Sequence, residues 1–302
     1  MYHRVIDDKR APLTNSTPGI IVSDRTFEMH MRTLRRNFKP VSLEQLRENV
    51  ENGTALPTRS CLVTFDDGWL DNYEIAFPIL QKYEIPAVVF LPLNFISTDS
   101  MFWQEEILMW LTWLLSSREE KKLAQLAKIL RSGNTPAELT LENIRSFVTT
   151  LKSCPEAQID KTLKTIRTKL ASYDEPPHYN RYMTWSQITE MNAAGISFAS
   201  HALSHRILCR LPVEKCRNEL LTSRAVLQDR LGVPTHAIAY PNGDFDQRVL
   251  VETKAAGYTM AFTTHRGLVG QECGPLAIPR MNIHDNNSRN EALFMCTCVN
   301  LF

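Results

Sequence analysis

The chain has 302 residues, 43% apolar and 22% charged, enough to bury a full core in one large α/β domain or two small ones. Its formal net charge of +1 gives no general electrostatic case for nucleic acid or an anionic membrane as a partner. Seven cysteines (61, 154, 209, 216, 273, 296 and 298) form an odd set with no CxxC pair, which argues against a disulfide framework and favours a reducing compartment.

The opening "MYHRV" is not a basic-then-apolar signal segment, so a cytoplasmic location is the expectation. A first helix is expected to be capped near Ser23, and a second starts at Ser42 with Gln45 three residues on, a capping box. "CLVTF" (61–65) reads as a buried strand, followed by a helix from about Asp71 to Tyr83 and a second strand, "AVVFLP" (87–92). The alternation then breaks. Between about Phe102 and Pro177 the pattern gives three helices, near 103–117, 119–131 and 141–171, the last broken at Pro155. Trp103, Trp110 and Trp113 fall in the first and read as core. The apolar run "ILMWLTWLL" (107–115) is too short to span a bilayer, and no transmembrane segment is expected.

The Pro-rich "DEPPH" (174–178) leads back to strands: "ISFAS" (196–200), "HAIAYP" (236–241), "YTMAFTT" (258–264) and "LAIPRMNI" (276–283). Helices near Val213–Leu231 and Gln247–Ala256 separate the first three. Near-continuous apolar strands between amphipathic helices indicate a parallel sheet or barrel with helices outside. The expectation is one domain over 1–302, carrying a helical insertion at about 102–178.

In such sheets chemistry collects at the C-terminal strand ends. Asp66 and Asp67 follow the first strand, and Ser200, His201 and His205 follow the third. Tyr240, Pro241, Asn242 and Gly243 follow the fourth, and Arg280 lies in the last. His201 and His205 in "SHALSH" are four apart, so a helical turn would put both rings on one face, where one metal ion can take both. With an aspartate they make a two-His, one-carboxylate site that leaves positions open for water and substrate. One aspartate suffices to bind the ion; the other, beside it, can take a proton from water. Gly68 lets the backbone turn sharply behind the pair. Trp69 and Tyr240, aromatic residues at the same strand ends, can stack on a ring of a bound ligand or simply pack. His30, His178 and His236 read as structural or solvated, while His265 and His284 sit near strand ends.

"TFDDGW", "SHALSH" and "AYPNGDFD" resemble the first three motifs of polysaccharide deacetylases, the carbohydrate esterase family 4 or NodB-homology proteins, over residues 2–93 and 182–283. The resemblance implies an irregular (β/α) barrel and one divalent metal ion, usually zinc, with cobalt, nickel or manganese as alternatives. It implies hydrolysis of N-acetyl, sometimes O-acetyl, groups on an acetylated saccharide. Carried over, Asp66 resembles the general base, and Asp67, His201 and His205 the metal ligands. The "YPNG" turn resembles the third motif, whose backbone N–H serves the oxyanion; here that donor would be Asn242, because Pro241 has none. The arginine that usually precedes the proline is absent, which makes Arg280 the candidate to orient Asp66. The family's late Leu-x-His acid has no good counterpart, and His284 fits poorly. Tyr2-His3 instead resembles the start of the permuted poly-N-acetylglucosamine deacetylase branch, which makes His3 the candidate general acid. On that reading Met1 is a strand residue, and the natural product is expected to begin further upstream.

Two other readings compete. The aspartates can serve a glycosyltransferase-like cation site or a glycosidase pair, but neither needs HxxxH on a second strand, and no glycine-rich nucleotide loop is present. A non-catalytic carbohydrate-binding protein on the same fold would be expected to have lost one of the four residues.

Overall fold

The structure, a computed structural model, describes residues 1–117, 119–130, 140–176, 178–270 and 274–301. Cys273, Pro177 and the expected last residue of the 119–131 helix lie outside them. Two compact units emerge: Met1–Asp8 with Pro18–Asp99 and Arg181–Phe302, and Lys9–Thr17 with Ser100–Asn180.

The first unit is mixed α/β. Two short parallel pairs, β1 (Arg4–Ile6) with β2 (Ile21–Ser23) and β3 (Lys39–Pro40) with β4 (Ser60–Cys61), accompany a five-stranded parallel sheet. The sheet runs β5 (Val63–Phe65), β6 (Ala87–Leu91), β7 (Ser197–Ser200), β8 (Ala237–Ala239) and β9 (Met260–Phe262), in chain order. All five residues of β6 are buried, as a strand covered on both faces requires. Val88, Phe90, Ala199, Ala237, Ala239, Met260 and Phe262 pack with Leu46 and Ile278 into one core cluster. Helices Val213–Leu231 and Gln247–Ala255 make the crossovers from β7 to β8 and from β8 to β9.

Local chemistry sets the boundaries. Ser23 accepts the Thr26 N–H at the start of helix Asp24–Asn37, and Ser42 with Gln45 forms the capping box of helix Leu43–Asn52. The expected helix 71–83 opens instead with a wide π-turn, Asn72–Ala76, and becomes regular only over Phe77–Lys82. Pro78, which has no N–H to give, stands at that change.

Single bridges extend both edges of the sheet. Beyond β5, Tyr2 donates to the Thr64 carbonyl at 2.8 Å and accepts from the Asp66 N–H at 3.0 Å. Beyond β9, Ile278 bridges Phe262. The strand expected over 276–283 reduces to that bridge, because Pro275 and Pro279 on either side cannot donate to a ladder. Further along, the Met1 amine donates to Met281 O at 2.8 Å, and Ile283 N–H to Met1 O at 2.9 Å. Hydrogen bonds therefore link the segment after β9, residues 1–2 and β5.

The second unit is helical: Trp103–Ser117, Glu120–Leu130, Leu141–Lys152 and Glu156–Leu170. Their inward faces bury Ile107, Leu111, Leu114, Leu126, Ile144, Val148, Ile159, Leu163 and Ile166. The break at Pro155 falls where expected, with the proline preceding the last helix. Trp103 is buried and Trp110 and Trp113 are partly so, all packed on this core. No helix among the described residues is long and apolar enough to cross a membrane.

Candidate metal and catalytic site

At the end of β5 the chain enters the left-handed region twice in succession, at Asp67 (φ 78°) and Gly68 (φ 65°). Gly68 is required sterically as well: a Cβ there would stand 2.8 Å from Leu91 Cδ2. Asp67 carries the cost of that backbone conformation, which persists only where the surroundings impose it.

The turn sends the two carboxylates to different partners. Asp66 meets Arg280 through parallel bonds of 2.7 Å from Nη1 to Oδ1 and from Nη2 to Oδ2. Arg280 is itself fixed by its Nε–H to Thr263 O at 2.8 Å, and its guanidinium lies near the Phe90 and Phe262 rings. Burial opposes ionisation of Asp66, but the charges of Arg280 and His201 outweigh it and hold the carboxyl below its ordinary value.

Asp67 turns the other way. Its Oδ2 accepts the Trp69 indole N–H at 3.0 Å. Its Oδ1 is buried, has no hydrogen-bond partner among the described residues, and lies 3.2 Å from His205 Nε2 and 3.5 Å from His201 Nε2. The ligand atoms of Asp67, His201 and His205 all fall within 4.8 Å of one another. His201 Nδ1 is 2.7 Å from the Ala239 carbonyl, which can only accept. Nδ1 therefore carries a proton, and in the neutral ring this leaves the Nε2 lone pair facing Asp67. Burial opposes charge on both Asp67 and His201, yet mutual attraction wins: Asp67 is held well below its ordinary value and His201 is raised. An orphaned buried carboxylate oxygen between two imidazole nitrogens is the donor set and polarity that a divalent cation fits.

The histidine spacing arises differently from the expected helical turn. Residues 201–205 are not helical; Ala202 (φ 62°) and His205 (φ 54°) are both left-handed. This loop, rather than a helix face, brings the rings to a centroid separation of 4.9 Å.

His3 follows Tyr2 at the β5 edge. Its Nδ1 is buried without a hydrogen-bond partner among the described residues, and its carbonyl accepts from the Asn72 side chain at 2.8 Å. Burial lowers its pKa against the attraction of Asp67 and Asp66.

Two aromatic expectations are corrected. Trp69 is fully buried, packed between the Arg4 guanidinium (4.3 Å to the ring centroid) and Tyr182 (4.7 Å), so no face is open to a sugar. Its polar edge serves Asp67 instead. Tyr240 is also fully buried; it stacks on Phe245, and its hydroxyl donates to Leu276 O at 3.1 Å. In the turn that follows, Pro241 is buried and Asn242 is exposed and left-handed (φ 62°). The Gly243 N–H closes the turn on Tyr240 O at 2.8 Å. Of the remaining histidines, His30 is buried and stacked on Phe294, His265 packs near Phe245, and His284 precedes the short helix Asp285–Ser288.

Residues 53–261 match the family model for polysaccharide deacetylase, and the chain belongs to that family. The poly-beta-1,6-N-acetyl-D-glucosamine N-deacetylase of Escherichia coli K12 is 25% identical over 260 residues, 85% of this chain and 33% of that protein. The chain thus spans about a third of that relative's length. Among solved structures, the Streptococcus pyogenes deacetylase PplD, in complex with acetate, aligns with a TM-score of 0.64 at 19% identity, covering 99% of this chain and 96% of that one. IcaB from Ammonifex degensii aligns with a TM-score of 0.61 at 18% identity, covering 98% and 94%. At these identities the likeness is one of fold.

Proposed function

We propose that this protein is a metal-dependent carbohydrate deacetylase that hydrolyses N-acetyl, or alternatively O-acetyl, groups on a saccharide. The observation that carries the proposal is the split of the aspartate pair, with Asp66 clamped by Arg280 and Asp67 aimed at His201 and His205. Asp67, His201 and His205 would hold one divalent ion, zinc by preference for two imidazoles and a carboxylate. Such an ion, when bound, acidifies water and polarises a carbonyl.

The chain's own residues then have separate tasks. Asp66, ionised in its Arg280 clamp, takes a proton from the attacking water as the oxygen bonds to the acetyl carbon. The Asn242 N–H is the candidate donor to the oxyanion. His3 gives a proton to the amine nitrogen as the C–N bond breaks, releasing acetate and a free amine. We read the hydrogen-bonded path through 276–283 and residues 1–2 as completing an irregular (β/α) barrel of the NodB-homology type. Residues from about 102 to 178 are then a helical insertion in one catalytic domain.

A polymer of β-linked N-acetylglucosamine is the substrate class to test first, given the relatives. Acetate release from β-1,6- and β-1,4-linked N-acetylglucosamine oligomers, with and without chelator, tests the proposal. It predicts chelator-sensitive release restored by zinc. No acetate from any oligomer in metal-replete protein would refute it.

A further inference from the structure

The loop that carries His201 and His205 is gripped from two sides. From one, the N–H groups of Leu93 and Asn94, just past β6, donate to Ala202 O and Leu203 O at 3.2 and 2.9 Å. From the other comes Glu219, a half-buried carboxylate on the helix Val213–Leu231. Its Oε2 accepts two consecutive backbone N–H groups, Leu203 at 2.8 Å and Ser204 at 2.9 Å, while Oε1 accepts the Ser204 hydroxyl at 2.5 Å. Charge-assisted bonds of this kind are short and strong.

The grip falls where the backbone most needs it. Leu203 and Ser204 lie between left-handed Ala202 and left-handed His205, and each such residue costs free energy that surrounding contacts must offset. Without Glu219, Leu203 and Ser204 would lose the acceptor for both N–H groups. The loop would then be free to relax toward less strained dihedrals, swinging His205 away from Asp67 Oδ1.

We infer that Glu219 is a positioning residue, which sets the direction of His205 toward Asp67 by holding Leu203 and Ser204; this rests on reading Asp67, His201 and His205 as a metal site. Outer contacts that orient a ligand typically change metal affinity by about 10–100-fold, and Glu219→Ala is expected to weaken zinc binding by that order. Glu219→Gln keeps one oxygen for the two N–H groups and turns its amide toward the Ser204 hydroxyl, which can accept, so it is expected to retain most of the affinity.

The test is zinc affinity of the full chain, by competition with a chromophoric chelator, for wild type, Glu219→Ala, Glu219→Gln and His205→Ala, beside the melting temperature of each metal-free protein. Weakened binding in Glu219→Ala, with recovery in Glu219→Gln, supports the inference. A purely structural glutamate would lower the melting temperature and leave the affinity of the folded protein unchanged, and that result overturns it. Should Glu219→Ala not fold, Glu219→Gln combined with Ser204→Ala decides: weaker binding supports the inference and wild-type affinity overturns it. Failure of wild type to bind zinc, or wild-type binding by His205→Ala, overturns the metal reading and this inference with it, and is separable from equal binding by wild type and Glu219→Ala alone.

Discussion

Arg280→Met should destabilise the protein in a manner that depends on pH. Asp66 and Arg280 are 2% and 6% exposed and are joined by two 2.7 Å bonds, so methionine leaves a buried carboxylate facing a thioether. Breaking a buried pair in this way typically costs about 3–5 kcal/mol. In the wild type the folded pKa of Asp66 is depressed. Its contribution is therefore present above the unfolded carboxyl value, about 3.9, and is lost as pH falls through the folded value. In Arg280→Met, burial acts with much less opposition and raises the folded pKa above the unfolded one. Stability is then lost as pH rises from about 4. The gap between the two proteins should widen from acid to neutral pH and reach the full figure near pH 7. Urea denaturation of both at pH 5 and pH 7.5 measures it. Adding Asp66→Asn to Arg280→Met should remove most of the pH dependence. A gap below about 1 kcal/mol at pH 7.5, or an equal gap at both pH values, would show that Arg280 does not stabilise a buried Asp66 charge.

Three further outcomes are expected. Gly68→Ala, strained at φ 65° and with its Cβ 2.8 Å from Leu91 Cδ2, should cost about 2–5 kcal/mol; a loss under 1 kcal/mol in chemical denaturation would show that the turn relaxes freely. Trp69→Phe keeps the packing between Arg4 and Tyr182 but removes the N–H to Asp67 Oδ2, and should weaken zinc binding roughly 10-fold; unchanged affinity would deny the indole that task. His30 has its pKa lowered to about 4, chiefly by burial, so the unfolded chain binds more protons between about pH 6.5 and 4. Stability should fall by about 2 kcal/mol from pH 7 to pH 5, and the same slope in His30→Gln would assign the effect elsewhere.

Much of this arrangement is legible in the sequence because it rests on local signals. The apolar runs of β5 to β9 report strands covered on both faces, and Ser23, Ser42 and Gln45 mark helix starts through their own hydrogen bonds. The strand ends carry Asp66, Asp67, His201 and His205, and the parallel order of the sheet brings them together. What was not legible depends on tertiary contact. A spacing of four suggests a helical turn for His201 and His205, but the loop between them is held by Leu93 and Asn94, just past β6, and by Glu219, all distant in sequence. An aromatic at a strand end can face a cleft or the core, and the pattern around Trp69 and Tyr240 does not distinguish the two; Arg4 and Tyr182 decide it for Trp69. The apolar content of 276–283 suggests a strand, but Pro275 and Pro279 cannot donate to a ladder and leave the single bridge at Ile278. Glu219 looks like any solvated helix glutamate until the loop above it is placed.

On the proposed function the two adjacent aspartates divide the work, Asp67 holding the ion and Asp66 taking the proton. Bound zinc and acetate release, measured on the same preparations of Asp66→Asn and Asp67→Asn, separate the two tasks. Asp66→Asn should keep its zinc while losing about 10²–10⁴-fold in rate, and Asp67→Asn should lose the ion itself. Wild-type turnover in Asp66→Asn, or full zinc occupancy in Asp67→Asn, would contradict that division.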